Sequence, residues 1–527
     1  MGKYLTKRIL FSLFSLLVVV ATVMLLVFSL INRAVIFQQD DLWNKRTAND
    51  RTLYEYTQYQ NFQYLTFENY TTFLANKYKA QYGEEDYQTA EFSADRNAIS
   101  DPEKYLENQS VKEFYEKYEK AGYEIVYLAP ETYKNGKLKP GYNPYLLAVK
   151  ENNPLQRLWI YIKGFFTFES TSDVVDPALT EDMRGIKIEN DPYGWFAITG
   201  SGTTHKYLLY FDGRFPFIHQ NWMHINLGTS YTRYRAQEIT TVITSPTGPL
   251  KSTLQQYPTM IGTDEYVETA TDFHSVTYNP ATTEEERALF GDNYTTAKLS
   301  TSGLSMLENS FVIGLAATIL SYILGLPLGI LMARKKDKLA DKIGNFYIIF
   351  VMSVPSLAYI FMFAAFGTRV FGLPYKFANA QVAILAYVLP TISLALPSIG
   401  SLMKWMRRYM IDQMNSDYVK FARAEGLSEG EIYRTHISKN ALIYIVHGIP
   451  GSILGCLTGA IITERVYAVP GVGNLLTNAI NGHDNGIIVA CTVFYTSLSI
   501  LSIILGDLLL AKYDPRISLS SERGGGR

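Results

Sequence analysis

The chain has 527 residues, 47% of them hydrophobic and 18% charged, with a formal net charge of −1. That length suits several units with cores of their own, and the apolar and aromatic content, with no short repeat, excludes a collagen-like, low-complexity or wholly disordered chain. The balanced charge excludes the basic excess of a nucleic-acid binder. Apolar residues crowd into the first 31 positions and the last ~220, at the density of membrane spans.

The first apolar run, residues 9–31, follows Lys3, Lys7 and Arg8 and contains no charge. It is too long for a signal-peptide core and lacks a small-residue cleavage pattern, so a retained span with a cytoplasmic N-terminus is predicted. Residues 32–306 form a long outer segment. It holds 26 of the 39 tyrosines, which a disordered linker would not. Within it, Asp101 and Pro102 are expected to open a helix carrying Tyr105, Val111, Phe114, Tyr115 and Tyr118 and ending before Gly122. Strands are expected at residues 124–128, 158–163, 195–199 and 207–211, giving one α/β unit of ~180 residues and then a connecting stretch.

Little chemistry is legible in this segment. Gly200 to Lys206 lacks the Gly-Lys of a phosphate loop and the form of a nucleophile elbow, so it reads as a turn between strands. His219 and His224 are five apart, the wrong spacing to stack on one helix face as a metal pair. The sequons at Asn69, Asn108 and Asn293 read as chance matches. Cys456 and Cys491 both lie in apolar runs, which leaves no disulfide framework or thiolate metal site.

Five more spans are predicted, at residues 311–333, 346–366, 382–403, 441–463 and 487–512, each about long enough for a ~30 Å hydrocarbon core. The charges orient them. Arg334, Lys335, Lys336, Lys338 and Lys342 fall in one inside loop, and Lys404, Arg407, Arg408, Lys420, Arg423, Arg434 and Lys439 in another. The outer segment carries 26 basic against 36 acidic residues, leaving 22 and 13 for the remainder. This is the positive-inside pattern. The expected fold is a polytopic α-helical membrane protein with six transmembrane helices and an extracellular α/β domain inserted between helices 1 and 2.

The most informative segment is the inside loop 404–440. Residues 417–425 read as a short amphipathic helix with Tyr418, Phe421, Ala422 and Glu425 on one face. Gly426 is expected to stop it in a left-handed conformation, with Leu427 packing back. Ser428 and Glu431 have the spacing of a capping box opening a second helix. Ala422, Ala424 and Gly426 leave room for a partner to approach closely; a surface hairpin without a role fits the same pattern.

Tyr418-Val419-x-x-Ala422-Arg423-Ala424-Glu425-Gly426-Leu427, followed by His436 and Asn440-Ala441, resembles the EAA loop of ABC importer permeases, in the version found in peptide permeases. Three further stretches resemble that family in order. They are Asn226 to Ser230, the run Thr463-Glu464-Arg465-Val466-Tyr467-Ala468-Val469-Pro470-Gly471-Val472-Gly473, and Asp507 with Asp514-Pro515-Arg516. Tyr444 and Glu425 depart from the family's usual Pro and Lys, and the outer segment exceeds its usual loop, as in the enlarged oligopeptide permeases of some Gram-positive bacteria.

The resemblance implies a type I importer permease of the B type, in the cell membrane with both termini inside. Its parts would be residues 1–31, the outer segment 32–306, the transmembrane core 307–515 and a tail 516–527. It would import oligopeptides, or dipeptides or nickel as related permeases do. Its implied partners are a second permease, two ATPase subunits, a lipid-anchored extracellular peptide-binding protein, the peptide and membrane lipid. No Walker pattern occurs, so ATP and Mg belong to the partner subunits, and this chain is expected to carry no cofactor, metal or catalytic residue.

In the family the EAA loop is the coupling helix. Tyr418, Ala422, Arg423, Ala424, Glu425, Gly426 and Leu427 are the residues expected at that contact, Arg423 as a polar anchor or a solvated charge. Gly451, Gly455 and Gly459 form a doubled G-x-x-x-G ridge for a permease interface or for packing inside one subunit. Glu464, Pro470, Gly471, Gly473, Asp507, Asp514 and Arg516 carry the family signature. A membrane-anchored sensor is the rival class; residues 517–527 are too short for its output domain.

Overall fold

The computed structural model describes residues 2–513 other than 31–32, 39, 84–85, 177–178, 192–194, 212–216, 231–233, 235, 247–249, 252, 256–266, 270–273, 275–276, 279–299, 302 and 459. Gly459, Asp514, Arg516, Asn293 and the tail 516–527 therefore lie outside the described residues.

The chain starts in one apolar helix, α1 (Gly2–Leu30), and enters the outer segment through α2 (Ala48–Asn61). Next come β1 (Leu65–Asn69), α3 (Tyr70–Tyr82), α4 (Ala90–Ala98), α5 (Gln109–Lys120), β2 (Glu124–Leu128), β3 (Tyr145–Glu151) and α6 (Pro154–Gly164). The three strands form an antiparallel sheet with β3 in the middle. Strand periodicity sends alternate residues to opposite faces. Leu146 and Ala148 accordingly pack with Tyr70, Leu74 and Phe114, while Leu147 and Val149 pack with Ile36, Phe37, Tyr59 and Leu65. Both faces are covered, so β3 needs no polar alternation.

Two expectations are corrected here. The helix predicted from Asp101 starts instead at Asn108, whose side chain accepts from the Val111 amide. Tyr105 belongs to a separate 3₁₀ turn and stacks on Tyr127 at 4.1 Å. The strand predicted at 158–163 is the helix α6, opened by a capping box between Asn153 and Gln156 with Pro154 in its first turn. Asn69 and Asn108, the sequon residues, both serve as helix caps.

A buried polar knot ties α3, α4 and α5 together. Asp95 accepts from Tyr78 (3.0 Å), Asn108 (2.9 Å) and the Ser110 hydroxyl. Burial pushes its carboxyl up, but these donors and the nearby Lys77 outweigh it and hold it below the ordinary carboxylate value. A depressed folded value means the stabilisation is present above the unfolded value of ~3.9 and is lost as pH falls through the folded one. The melting temperature of the excised segment 32–306 should therefore drop on acidification below about pH 4, and Asp95→Asn should flatten that drop. An unchanged acid profile would mean the knot adds nothing.

A second sheet follows, in the order β4 (Gly185–Glu189), β5 (Ala197–Ser201), β6 (Tyr207–Phe211) and β7 (Ile218–Gln220). The run 200–206 is the turn between β5 and β6. Gly202 has φ +84°, and a Cβ there would lie 2.0 Å from the Thr171 carbonyl. His219 stacks on Tyr210, and His224 pairs with Glu238 at 2.5 Å. No metal-holding cluster occurs among the described residues. Because β6 pairs with β7, and Phe166–Phe168 with Met223–Ile225, a unit ending near residue 215 would be cut mid-sheet.

The last part contains α7 (Met306–Arg334), α8 (Leu339–Ser353), α9 (Ser356–Phe371), α10 (Ala383–Met414), α11 (Asp417–Ala424), α12 (Ser438–Val446), α13 (Ile449–Gly455), α14 (Ile461–Tyr467), α15 (Val472–Asn481) and α16 (Asn485–Tyr513). Four helices, α1, α7, α10 and α16, are long and apolar enough to cross a membrane singly. The third and fifth predicted spans are not straight. The chain bends 110° between α8 and α9, and 43° between Glu429–Val446 and Ile449–Thr458, so six spans result only if each bent pair counts as one. The first break is at Pro355, which lacks an amide and forces Val354 into an extended conformation.

Close helix contact is made at glycines the sequence reading passed over. A Cβ on Gly325 or Gly329 of α7 would come within 2.8 Å of Leu402 or Met406 on α10. In lipid, where apolar burial does not drive helices together, such approach supplies packing.

Candidate functional site

The segment joining α10 to α12 is built as a rigid corner. Ser416 precedes α11, which ends after two turns at Gly426, φ +83°. The Leu427 amide donates to the Ala422 carbonyl (3.2 Å) and the Gly426 amide to that of Arg423 (3.1 Å), the pair of bonds that defines a Schellman ending. Ser428 then accepts from the Glu431 amide, half of the expected capping box. The chain continues as a π-helical stretch, Ile432–Ile437, into α12.

The stripe of Tyr418, Phe421, Ala422 and Glu425 does not turn inward as a unit. Val419 and Ala422 are buried against Met406, Met410, Ile432 and Ile437, with Tyr418 and Leu427 at the edge. Burying Val419, Ile432 and Ile437 contributes roughly 1.5–3 kcal/mol each. Phe421, expected on one face with Ala422, is 70% exposed. Two helical turns cannot place both Phe421 and Val419 inward, and the aliphatic neighbours select Val419. Arg423, Ala424, Glu425 and Gly426 are exposed. Arg423 pairs with Glu429 at 2.7 Å, which raises the guanidinium and lowers the carboxyl relative to their ordinary values. Ala422 thus belongs to the chain's own core, and the outward surface runs from Phe421 through Gly426.

At the other end of the helices the signature residues form a second knot. Glu464, 1% exposed, accepts from the Ser310 hydroxyl (2.8 Å) and from the amides of Ala460 (2.9 Å) and Asn474 (3.0 Å). A Cβ on Gly471 would fall 2.4 Å from that carboxylate, and one on Gly473 2.9 Å from the Ile461 nitrogen. The Pro470 carbonyl accepts from Asn309 at 3.2 Å. The charge is thereby satisfied internally and staples α14 and α15 to α7. In the Asn226 to Ser230 run, the Ser230 hydroxyl donates to Asp484 at 2.7 Å, just before α16. Asp507 meets Arg8 at 3.2 Å, so the start of α1 and the end of α16 lie together.

Of the glycine ridge, Gly451 faces Ser502 of α16 within this chain, whereas a Cβ on Gly455 would meet nothing within 4 Å. Sequence reasoning missed the bidentate pair in which Arg407 of α10 donates to Asp341 of α8 at 2.6 and 2.7 Å. The two residues are 66 positions apart, and no local pattern marks them.

Residues 325–519 match the family described as the binding-protein-dependent transport system inner membrane component. Over its whole length the chain is 33% identical to the whole of the oligopeptide transport system permease protein AmiC of Streptococcus pneumoniae. The chain belongs to the peptide permeases of that family. It is also 31% identical to the dipeptide permease DppB of Lactococcus lactis, over 43% of this chain and 74% of that one. An inward-facing structure of the MetNI methionine ABC transporter overlaps 40% of the chain and 94% of its own, at 13% identity and a TM-score of 0.33, too loose a superposition to build on. The permease is an integral membrane transport component with several apolar helices.

Proposed function

We propose that this permease is one half of the translocation path of an ATP-driven importer of oligopeptides. A second permease would form the other half, two ATPase subunits would supply the energy, and an extracellular binding protein would deliver the peptide. The full-length likeness to an oligopeptide permease is the observation that carries this reading. The geometry supports it. An ATPase pressing on the exposed surface from Phe421 to Gly426 would act on a corner whose two arms continue into α10 and α12, so the push becomes a tilt of those helices. Residues 32–306, on the outer side, would help to dock the binding protein. The shorter likeness to a dipeptide permease supports short peptides as a second substrate class.

Reconstitution tests the function. Vesicles carrying the four membrane-associated subunits should accumulate labelled oligopeptide only with ATP and the loaded binding protein, and accumulation independent of both would count against the reading. Topology has its own test, motivated by the lysine and arginine distribution. With Cys456 and Cys491 removed, Gln60→Cys should react with an impermeant thiol reagent on intact cells, and Ser428→Cys only after lysis. Labelling of position 428 on intact cells would invert the six-span arrangement.

A further inference from the structure

Between α7, α10 and α13 lies a hollow of about 360 Å³, within the range of small-molecule pockets. Its lining has no Asp, Glu, Lys or Arg. Beside Leu394 and Leu402 it consists of small residues and hydroxyls, among them Thr318, Ser321 and Tyr322 of α7, Ser398 and Ser401 of α10, and Ser452 of α13. Along α7 the lining positions 310, 314, 317, 318, 321 and 322 form one helical stripe. At 1.5 Å per residue the stripe is ~18 Å long, about five residues of extended chain. It runs from the Glu464 knot, through Ser310, to the middle of the predicted span.

The hydroxyls fall into two groups. One group is engaged within the chain. Ser321 donates to the Ala317 carbonyl (2.6 Å), Thr318 meets the Cys456 sulfur (3.4 Å), and Tyr322 meets Ser452 (3.4 Å). In the other group Ser398 is exposed and Ser401 half-exposed, and neither forms a side-chain hydrogen bond among the described residues. Gly455 stands beside them with open space where a side chain would be. Polar groups at membrane depth face protein or a water-filled cavity rather than lipid.

We propose that this hollow is the wall of the path that holds the main chain of the transported peptide. The proposal rests on the importer reading above. Every peptide residue except proline brings one donor and one acceptor that must be satisfied away from water. A serine hydroxyl is donor and acceptor at once and so answers either. An uncharged lining of this kind grips the backbone and is indifferent to the charge of the side chains passing it. An acyl chain would offer Ser398 and Ser401 nothing, so the peptide is the better occupant.

The test uses the complete transporter in vesicles, with Cys456 and Cys491 replaced by Ala and single cysteines at Ser398, Ser401 or, as a control, the 62% exposed Ile323 of α7. A small sulfonated thiosulfonate reagent should modify 398 and 401 but not 323. A transported peptide at roughly ten times its Kd should slow that modification about tenfold. Ser398→Ala with Ser401→Ala should lower uptake efficiency about three- to tenfold for acidic, basic and apolar peptides alike. Positions 398 and 401 as unreactive as 323, labelling indifferent to peptide, or a loss confined to one side-chain class would each overturn the proposal. Failure of the unmodified complex to take up any peptide would overturn the importer reading with it. Normal uptake with unprotected 398 and 401 would remove this inference alone.

Discussion

Gly426→Val should give a permease that inserts and joins its complex but no longer couples ATP hydrolysis to uptake. The cause is backbone conformation. At φ +83° a Cβ on residue 426 would meet nothing within 4 Å, so the side chain itself crowds no neighbour in this chain. An L-residue in the left-handed region costs roughly 1–2 kcal/mol, and a β-branched one is a still rarer occupant. A valine relieves that strain by leaving the conformation, which breaks the bond from the Leu427 amide to Ala422 and withdraws Leu427 from the cluster around Val419. The corner then no longer holds the surface from Phe421 to Gly426 in one place.

Substitution order separates this cause from a lost contact. Asparagine tolerates the conformation best after glycine and alanine less well, so residual coupling should fall from Asn through Ala to Val. Arg423→Ala should do less than Gly426→Val, because its pair with Glu429 is exposed and such pairs contribute little. The measurement is ATP hydrolysis stimulated by the loaded binding protein, taken beside peptide accumulation in the same vesicles. Both should fall together. Normal values for a well-expressed Gly426→Val complex would take the coupling role away from this segment.

The Gly426 corner was legible because its determinants are local. A left-handed glycine, a following leucine and a serine three residues before a glutamate lie within six positions. Which positions of that helix turn inward was not legible, because two turns give too few positions to fix it, and Met406, Met410 and Ile437 decide it from outside the segment. Within residues 32–306, positions 158–163 looked like a strand, yet the cap pattern from Asn153 to Gln156 was present just upstream, starting five residues before it. Pro355 stands in the sequence inside the third predicted span, but a proline does not say whether a span kinks or folds back by 110°. The hydroxyl hollow is assembled from three helices far apart in the chain. Each stripe has helical spacing, but nothing in one helix announces the other two.

Arg407→Ala is expected to be the most destabilising single change at the C-terminal end of α10. Asp341 is 2% exposed and receives both guanidinium nitrogens, the Asp337 amide at 3.0 Å and the Asn345 amide group at 3.2 Å. Removing the arginine leaves a buried carboxylate without its counter-charge. Breaking a buried pair in this way costs about 3–5 kcal/mol, and because Arg407 keeps 23% exposure the lower figure of roughly 3 kcal/mol is expected. Arg407→Lys keeps the charge but loses the fork that binds both oxygens, so it should recover only part of the loss.

The double replacement Asp341→Ala with Arg407→Ala should be milder than Arg407→Ala alone, because no orphaned charge remains. Denaturant unfolding of the purified permease measures all of these against the unmodified chain. An Arg407→Ala loss no larger than that of the double replacement would show that the pair is not buried as the geometry describes. The pair also fixes the start of α8 to the C-terminal part of α10, the helix that leads on to α11. A push at the Gly426 corner can therefore be passed along α10 only if that end is anchored. In Arg407→Ala the ATPases should still be stimulated while peptide accumulation falls, an uncoupling distinct from the joint loss expected of Gly426→Val.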